Sequence, residues 1–164
     1  MYFFSKQGVL VGVIATLTMD LASAGLRQLG LTASLTPAVI GRWFASVLRG
    51  QPIHADIAQS PALPYEMGLA LVGHYAIGIF LACLYFWIAS RFGWPARHLG
   101  AMLCFGFCSN VFPWLLMFPA MGYGFFGLHG PVGTRLFVSS LSSHLLYGLG
   151  LWIGARFIAF PARG

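Results

Sequence analysis

Charged residues are scarce in this sequence. Only 7% of its 164 residues are Asp, Glu, Lys or Arg, and only three residues are acidic. A water-soluble domain usually carries about a quarter of its residues as charges, so this chain has too few charges to cover a water-facing surface. The mean hydropathy of +0.81 agrees with that exclusion. The composition therefore predicts a protein that is embedded in lipid.

The sequence also has no recognisable catalytic motif. It contains no nucleophile elbow, phosphate-binding loop or zinc signature, and three cysteines in or near apolar runs give no basis for a disulfide framework. No basic cluster is visible, so the formal net charge of +6 suits anionic lipid headgroups better than nucleic acid. We expect membrane lipids as partners, no nucleic acid, and a function other than enzyme catalysis.

Long apolar runs are what the sequence has in quantity. Four of them cover approximately residues 8–26, 67–89, 99–120 and 136–160. Each is close to the ~20 residues that a helix needs to cross a hydrocarbon core, and in lipid a helix satisfies its own backbone N–H and C=O groups. The sequence therefore predicts an all-α integral membrane protein. Residues 1–164 would form a single membrane domain of four transmembrane helices, arranged as two helical hairpins.

A shorter helix is predicted between the first two spans. Thr36 and Pro37 are typical of a helix start, with threonine as N-cap and proline at the first helical position. Apolar residues then recur at helical spacing: Val39, Ile40, Trp43, Phe44, Val47 and Leu48. Arg42 and Arg49 fall outside that stripe. We expect an amphipathic helix over residues 37–49 that lies along the membrane interface or caps the bundle, as an anchor or as a lid.

The orientation of the chain follows from its short loops. An even number of spans places both termini on one side of the membrane. The tight turn with Arg91 and Arg97 lies on that same side. Because positive charges in short loops favour the cytoplasm, we expect the N- and C-termini there.

Two histidines occur in nearly the same local pattern. His74 and His144 each lie in the early part of an apolar run, and each is followed four residues later by a glycine. This repetition predicts an internal duplication in which each half is one helical hairpin. Two such hairpins would be parallel repeats.

Polar residues inside the spans define a candidate intramembrane polar centre. Its members are Thr16, Asp20, His74, Asn110 and His144. We expect Asp20 to pair with His74, and Asn110 to pair with His144. Titratable groups in lipid indicate a proton, ion or substrate site. Interhelical hydrogen bonds that only hold the helices together are the alternative.

A cofactor is a further alternative. His74 and His144 on neighbouring helices could bind a b-type haem axially, with Gly78 and Gly148 making room for the macrocycle. For metal ions, Cys104 and Cys108 lie one turn apart on the third predicted helix, with Met117 and Met121 further along. Such soft ligands would suit copper(I), although cysteine and methionine are also ordinary packing residues in apolar helices.

Five short motifs add a resemblance that covers most of the chain. They are ATLTMD (15–20), VIGRW (39–43), IHA (53–55), GHYAIG (73–78) and LMFPAMG (116–122). Together they resemble a family of small bacterial four-span inner-membrane proteins classed as a domain of unknown function. The resemblance implies that architecture and a location in the bacterial inner membrane, and it implies no activity.

Three function classes follow. The first is a small transporter or channel-like protein with the intramembrane Asp/His/Asn centre at its interior. The second is an accessory or structural subunit of a larger membrane complex. The third is a redox membrane protein that binds a haem through two histidines, or a metal. A homo-oligomer or a larger membrane complex is the expected assembly.

Overall fold

A computed structural model of the chain describes residues 4–94 and 96–158. Within that part the structure is helical, without strands. Four helices are long and apolar enough to cross a membrane, and they are Lys6–Gln28, Glu66–Phe92, Leu99–Ala120 and Thr134–Phe157. We call the first two α1 and α3, and the last α6. The shorter apolar helix α2 spans Pro37–Leu48. The predicted all-α fold class is confirmed.

The long helices coincide closely with the apolar runs. Runs 8–26 and 67–89 lie inside α1 and α3, and run 99–120 has the bounds of the third span. The fourth run, 136–160, begins two residues inside α6, and its last two residues lie outside the described part of the chain. The predicted single-domain organisation and internal repeat are not tested by these bounds and stay predictions.

Prolines interrupt the third span, as expected for residues that lack a backbone N–H. Regular helix α4 covers Leu99–Ser109, a π-helical turn covers Pro113–Met117, and the short helix α5 covers Phe118–Ala120. In the π turn the backbone N–H of Phe118 donates to the carbonyl of Pro113, five residues back. Such wide turns are frequent where a helix is bent at a functional or strained position.

The described residues group into two compact units. The first unit contains residues 4–24, 75–94, 96–109 and 143–158. Its apolar core includes the fully buried side chains of Val11, Tyr85, Met102 and Leu151. Close approach of its helices depends on small residues, because only a hydrogen side chain lets two helix backbones touch. A Cβ atom built on Gly12 would lie 2.6 Å from the Cα of Ile79.

The second unit contains residues 25–74 and 110–142. Its core is aromatic, and the rings of Trp114 and Phe137 stack with centroids 4.9 Å apart. The segment between α2 and α3 is held by backbone hydrogen bonds from the N–H of His54 to Ala120 O (2.8 Å) and from the N–H of Ile57 to Met121 O (3.0 Å). The segment is therefore part of the folded unit.

Helix α2 begins where predicted, with Pro37 as its first residue, but its arginines behave differently from each other. Arg49 lies at the exposed C-terminal end and donates to the hydroxyl of Tyr65 at 2.6 Å. Arg42, placed by the amphipathic pattern outside the apolar stripe, is buried, with 9% of its surface exposed. Arg42 lies outside the predicted apolar stripe and is nevertheless buried, because an ion pair with Glu66 compensates the cost of its burial.

Candidate functional site

Three side-chain hydrogen bonds join all four helices of the first unit. They are the pairs Asp20–Tyr75, Ser23–Ser143 and Ser109–His144, which we call the mid-span pairs. Tyr75 lies nine residues after the start of α3, and Ser109 and His144 lie ten residues after the start of their spans. At 1.5 Å of rise per residue this is about 14–15 Å. On α1, Asp20 and Ser23 lie eight and five residues before the end of the helix, so all six residues lie inside the spans.

The first pair joins α1 to α3. The carboxylate of Asp20 accepts a hydrogen bond from the phenol of Tyr75. A carboxylate removed from water needs such a donor, because an unpaired charge in an apolar medium is very costly. Asp20 is also the only acid in the interior of a span. Packing alone does not explain a carboxylate at such a position.

The second pair joins α4 to α6. Nδ1 of His144 lies 2.6 Å from the Oγ atom of Ser109. The same Ser109 hydroxyl lies 2.7 Å from the carbonyl oxygen of Gly106, three residues back on its own helix. The helices approach so closely here that a Cβ atom on Gly106 would overlap the carbonyl oxygen of His144. The glycine thus sets the distance at which the imidazole and the hydroxyl meet.

The third pair joins α1 to α6. The hydroxyls of Ser23 and Ser143 are 3.1 Å apart, and either oxygen can be the donor. Ser23 follows Asp20 by three residues, which places both on one side of α1. Ser143 precedes His144 directly. The three pairs therefore bring a carboxylate, a phenol, an imidazole and three hydroxyls to one level of the first unit.

The predicted members of the polar centre divide between the two units. Thr16, Asp20 and His144 belong to the first, and His74 and Asn110 belong to the second. Thr16 is fully buried, and its hydroxyl donates to the carbonyl of Gly12 at 2.9 Å.

In the second unit, Asn110 is fully buried and its side-chain oxygen accepts from Ser140 at 2.8 Å. His74 is half-buried, next to Gly73, against which the ring of Phe44 packs. The predicted Asp20–His74 and Asn110–His144 pairs stay predictions.

Two residues that bond to the polar centre, Tyr75 and Ser109, are direct chain neighbours of the predicted members His74 and Asn110. Asp20 accepts from Tyr75, which follows His74 in the chain, and His144 meets Ser109, which precedes Asn110. The only available signal was position, since each of these residues precedes or follows a predicted member directly. Hydropathy patterns do not distinguish such neighbours.

The glycines that were expected to make room for a macrocycle have another role. In the first unit, the space beside Gly78 is occupied by the hydroxyl of Thr16, and the carbonyl of Gly78 accepts from Tyr147 at 2.5 Å. A Cβ atom on Gly148 would lie 2.6 Å from the carbonyl oxygen of Met102. Both glycines serve close helix packing, so they do not fit the role proposed for them beside a haem. Among residues 4–94 and 96–158, no group of three or more His, Cys, Asp or Glu side chains could hold a metal ion.

A second polar arrangement, in the second unit, was not predicted as such. The guanidinium of Arg42 donates to both carboxylate oxygens of Glu66, at 2.9 and 3.1 Å. Its remaining terminal nitrogen faces three backbone carbonyls, those of Ile57 (3.5 Å), Ala58 (3.3 Å) and Ser60 (2.7 Å). We call this the Arg42 cluster. The hydrogen bond to Glu66 raises the pKa of Arg42, against burial, which lowers it, so Arg42 stays charged.

The loop residues near this cluster make local bonds. The carboxylate of Asp56 accepts from the backbone N–H of Ala58 at 2.9 Å, and Nδ1 of His54 lies 3.3 Å from the hydroxyl of Ser60. Near the cluster, the buried Nε2 atom of His54 and the buried hydroxyl of Tyr123 have no hydrogen-bond partner within the described part of the chain. By accepting from the backbone of Ala58, Asp56 acts as a cap within the loop.

Replacing Tyr123 by phenylalanine should leave stability unchanged or raise it, because a buried hydroxyl with no partner contributes only its desolvation cost. Replacing Tyr147 by phenylalanine should lower the free energy of unfolding by about 1 kcal/mol, because its hydroxyl loses the bond to Gly78. Unfolding in mixed detergent micelles, followed by tryptophan fluorescence, measures both. A larger loss in Tyr123→Phe than in Tyr147→Phe would contradict this assignment.

Alkaline pH gives the Tyr123 comparison a second readout. Burial raises the pKa of Tyr123, the charge of Asp56 raises it further, and Arg42 opposes both. The unfolded tyrosine then ionises near its ordinary pKa of 10, while the folded one stays neutral. The free energy of unfolding is therefore unaffected by the ionisation of this residue below about pH 10, and it falls as the pH rises from there through the raised pKa. The Tyr123→Phe variant should lose less stability than the wild type over that range.

Comparisons with known proteins identify a family and no activity. The family model described as "Protein of unknown function (DUF2938)" matches residues 9–158. A search of curated proteins finds no match. A search of solved structures also finds none.

Proposed function

Because the chain belongs to the family described as Protein of unknown function (DUF2938), which carries no activity with it, we propose a function from the site itself. The chain is a small multi-pass transporter or channel-like protein. Its translocation centre lies in the first unit and includes the mid-span pairs and the predicted polar member Thr16. Its location is the bacterial inner membrane, with both termini in the cytoplasm, and it works there as a homo-oligomer.

One observation carries this proposal: polar side chains of different helices, a carboxylate and an imidazole among them, meet inside the spans. Asp20 and Tyr75 join α1 to α3, and Ser109 and His144 join α4 to α6. Small residues and hydroxyls are enough to hold helices together, and the first unit has both in addition to its carboxylate and its imidazole. Ionisable groups in the hydrocarbon region are rare and typically mark ion or substrate pathways.

Asp20→Asn should abolish transport in purified, reconstituted protein. The amide keeps the size of the side chain and can still pair with Tyr75, but it cannot carry a negative charge or exchange a proton. Proteoliposomes adsorbed to a solid-supported membrane would be exposed to gradients of protons, Na⁺, K⁺ and charged small solutes, and the resulting currents recorded. Osmotic shrinkage followed by light scattering would cover neutral solutes.

Asp56→Asn is the matched control, because it makes the same chemical change in a loop carboxylate that caps Ala58. The proposal requires currents or shrinkage in the wild type and in Asp56→Asn, and the background of protein-free liposomes in Asp20→Asn. Equal transport by all three proteins would show that Asp20 has no part in it. Absence of transport in the wild type would overturn the proposal and favour the accessory-subunit alternative. A haem absorption band in the purified protein would favour the redox alternative.

A further inference from the structure

The hydroxyl of Ser109 has one hydrogen and two acceptors within reach. It lies 2.7 Å from the carbonyl oxygen of Gly106 and 2.6 Å from Nδ1 of His144. A serine hydroxyl can donate to only one of these at a time, but its oxygen can accept while it donates. The direction of the Ser109–His144 hydrogen bond is therefore coupled to the direction in which the hydroxyl points.

This coupling lets the site hold one proton more or one proton fewer with the Ser109–His144 hydrogen bond kept in both states. When Nδ1 is unprotonated, the Ser109 hydroxyl donates to it. When a hydronium ion delivers a proton to Nδ1, one of its O–H bonds breaks as the N–H bond forms, water is released, and the imidazole becomes a singly charged imidazolium. The hydroxyl then turns to the carbonyl of Gly106, and the new N–H donates to Oγ of Ser109. An unsatisfied polar group is costly in lipid. Because Nδ1 of His144 has a hydrogen-bond partner both with and without the added proton, the site favours proton exchange.

The other two mid-span pairs share this reversibility. Either hydroxyl of Ser23 and Ser143 can be the donor. The phenol of Tyr75 donates to the Asp20 carboxylate, and a protonated Asp20 could donate to the phenol oxygen in return. All three pairs thus consist of groups that can exchange donor and acceptor roles, as relays for protons require. Proton relays in pumps and transporters are built from such chains of Asp, Glu and His.

From this geometry we infer that the ion handled by the centre is the proton, and that His144 with Ser109 is a station at which it is held. This inference rests on the proposed transport function. A hard metal cation would instead need about six or more oxygen ligands turned toward one point. The oxygens of the mid-span pairs are directed at one another in three separate bonds.

Proton flux separates this inference from the broader proposal. Full-length protein would be reconstituted in liposomes that contain a pH-sensitive dye, and a K⁺ gradient with valinomycin would supply the driving force. Ser109→Ala should slow acidification by roughly a hundredfold, the scale expected when a positioned proton-transfer group is lost. Ser109→Thr keeps a hydroxyl and should restore the flux. Ser90→Ala is the matched control, because Ser90 also bonds a carbonyl three residues back, that of Trp87, and it should behave as wild type.

Each alternative outcome has a definite meaning. If the wild type carries Na⁺, K⁺ or a neutral solute but no protons, the proton assignment is wrong while the transport function survives. If Ser109→Ala carries protons as fast as wild type, His144 with Ser109 is not the station. If the wild type transports nothing, both proposals fall. Failure of Ser109→Thr to restore flux in a folded protein would also overturn the hydroxyl mechanism.

Discussion

Replacing Arg42 by alanine should lower the free energy of unfolding by roughly 3 kcal/mol, which is typical when one partner of a buried ion pair is removed. The loss has two sources. The carboxylate of Glu66 is left buried without its cation, and the carbonyls of Ile57, Ala58 and Ser60 lose a charged donor. The loop between α2 and α3 should become more accessible as a result.

Two matched variants make this test specific. Arg49→Ala removes an arginine at the exposed end of the same helix, where a single bond to Tyr65 is lost, and should change stability little. Arg42→Lys keeps the charge but not the planar fork that reaches Glu66 and the carbonyls together, so it should recover only part of the loss. Detergent unfolding and limited proteolysis of residues 50–65 measure the effect. Equal stability of Arg42→Ala and Arg49→Ala would show that the Arg42 cluster is not structurally important.

Gly41→Ala should destabilise the protein by about 2–3 kcal/mol, the upper part of the range for overpacking a closely packed contact. A Cβ atom at this position would overlap the carbonyl oxygen of Glu66, and it would lie 2.9 Å from the backbone nitrogen of Ala70. Backbone atoms of a helix cannot turn aside as a flexible side chain can. Helix α2 would therefore have to move away from α3 and would weaken the Arg42–Glu66 bond as it did so.

Gly68→Ala is the control for this substitution. Gly68 lies in α3, near the contact, and a Cβ atom there would have no neighbour within 4 Å. Alanine in an open helical position should be neutral or stabilise by about 0.5–1 kcal/mol, because glycine loses more backbone entropy on folding. Comparable destabilisation by both alanines, measured by detergent unfolding, would argue against a backbone contact at Gly41.

Much of the fold could be predicted from the sequence. Apolar runs of the right length specify helices in lipid almost completely, because lipid leaves the backbone few alternatives. The beginning of α2 was equally clear, because Pro37 fixes a backbone angle that suits the first helical position.

The side-chain pairs of the site were harder to predict. Adjacent residues on a helix point about 100° apart, so a polar residue and its neighbour face different helices. In a soluble protein, the polar face of a helix shows which side meets water. In a span that is apolar on all sides, nothing in the pattern says whether His74 or Tyr75 turns toward α1. The same ambiguity applies to Ser109 and Asn110.

The burial of Arg42 could not be predicted from the sequence pattern, for a different reason. An arginine outside an apolar stripe normally indicates a water-facing side, and that inference fails only when a distant partner neutralises the charge. Glu66 lies 24 residues further along the chain, beyond any helical periodicity. The scarcity of acids was the available signal, because a chain with three acidic residues has few to leave in solvent.

The backbone bonds of the inter-helix loop constrain the order in which the protein can be completed during synthesis. The Arg42 cluster needs only residues up to Glu66, so it can form soon after α3 begins to emerge from the ribosome. The bonds from His54 and Ile57 instead wait for Ala120 and Met121, at the end of the third span. At about 5–20 residues per second, the backbone N–H groups of His54 and Ile57 wait several seconds for these partners after Glu66 has been made. During that interval, the Arg42 cluster and the local bonds of the loop hold this segment.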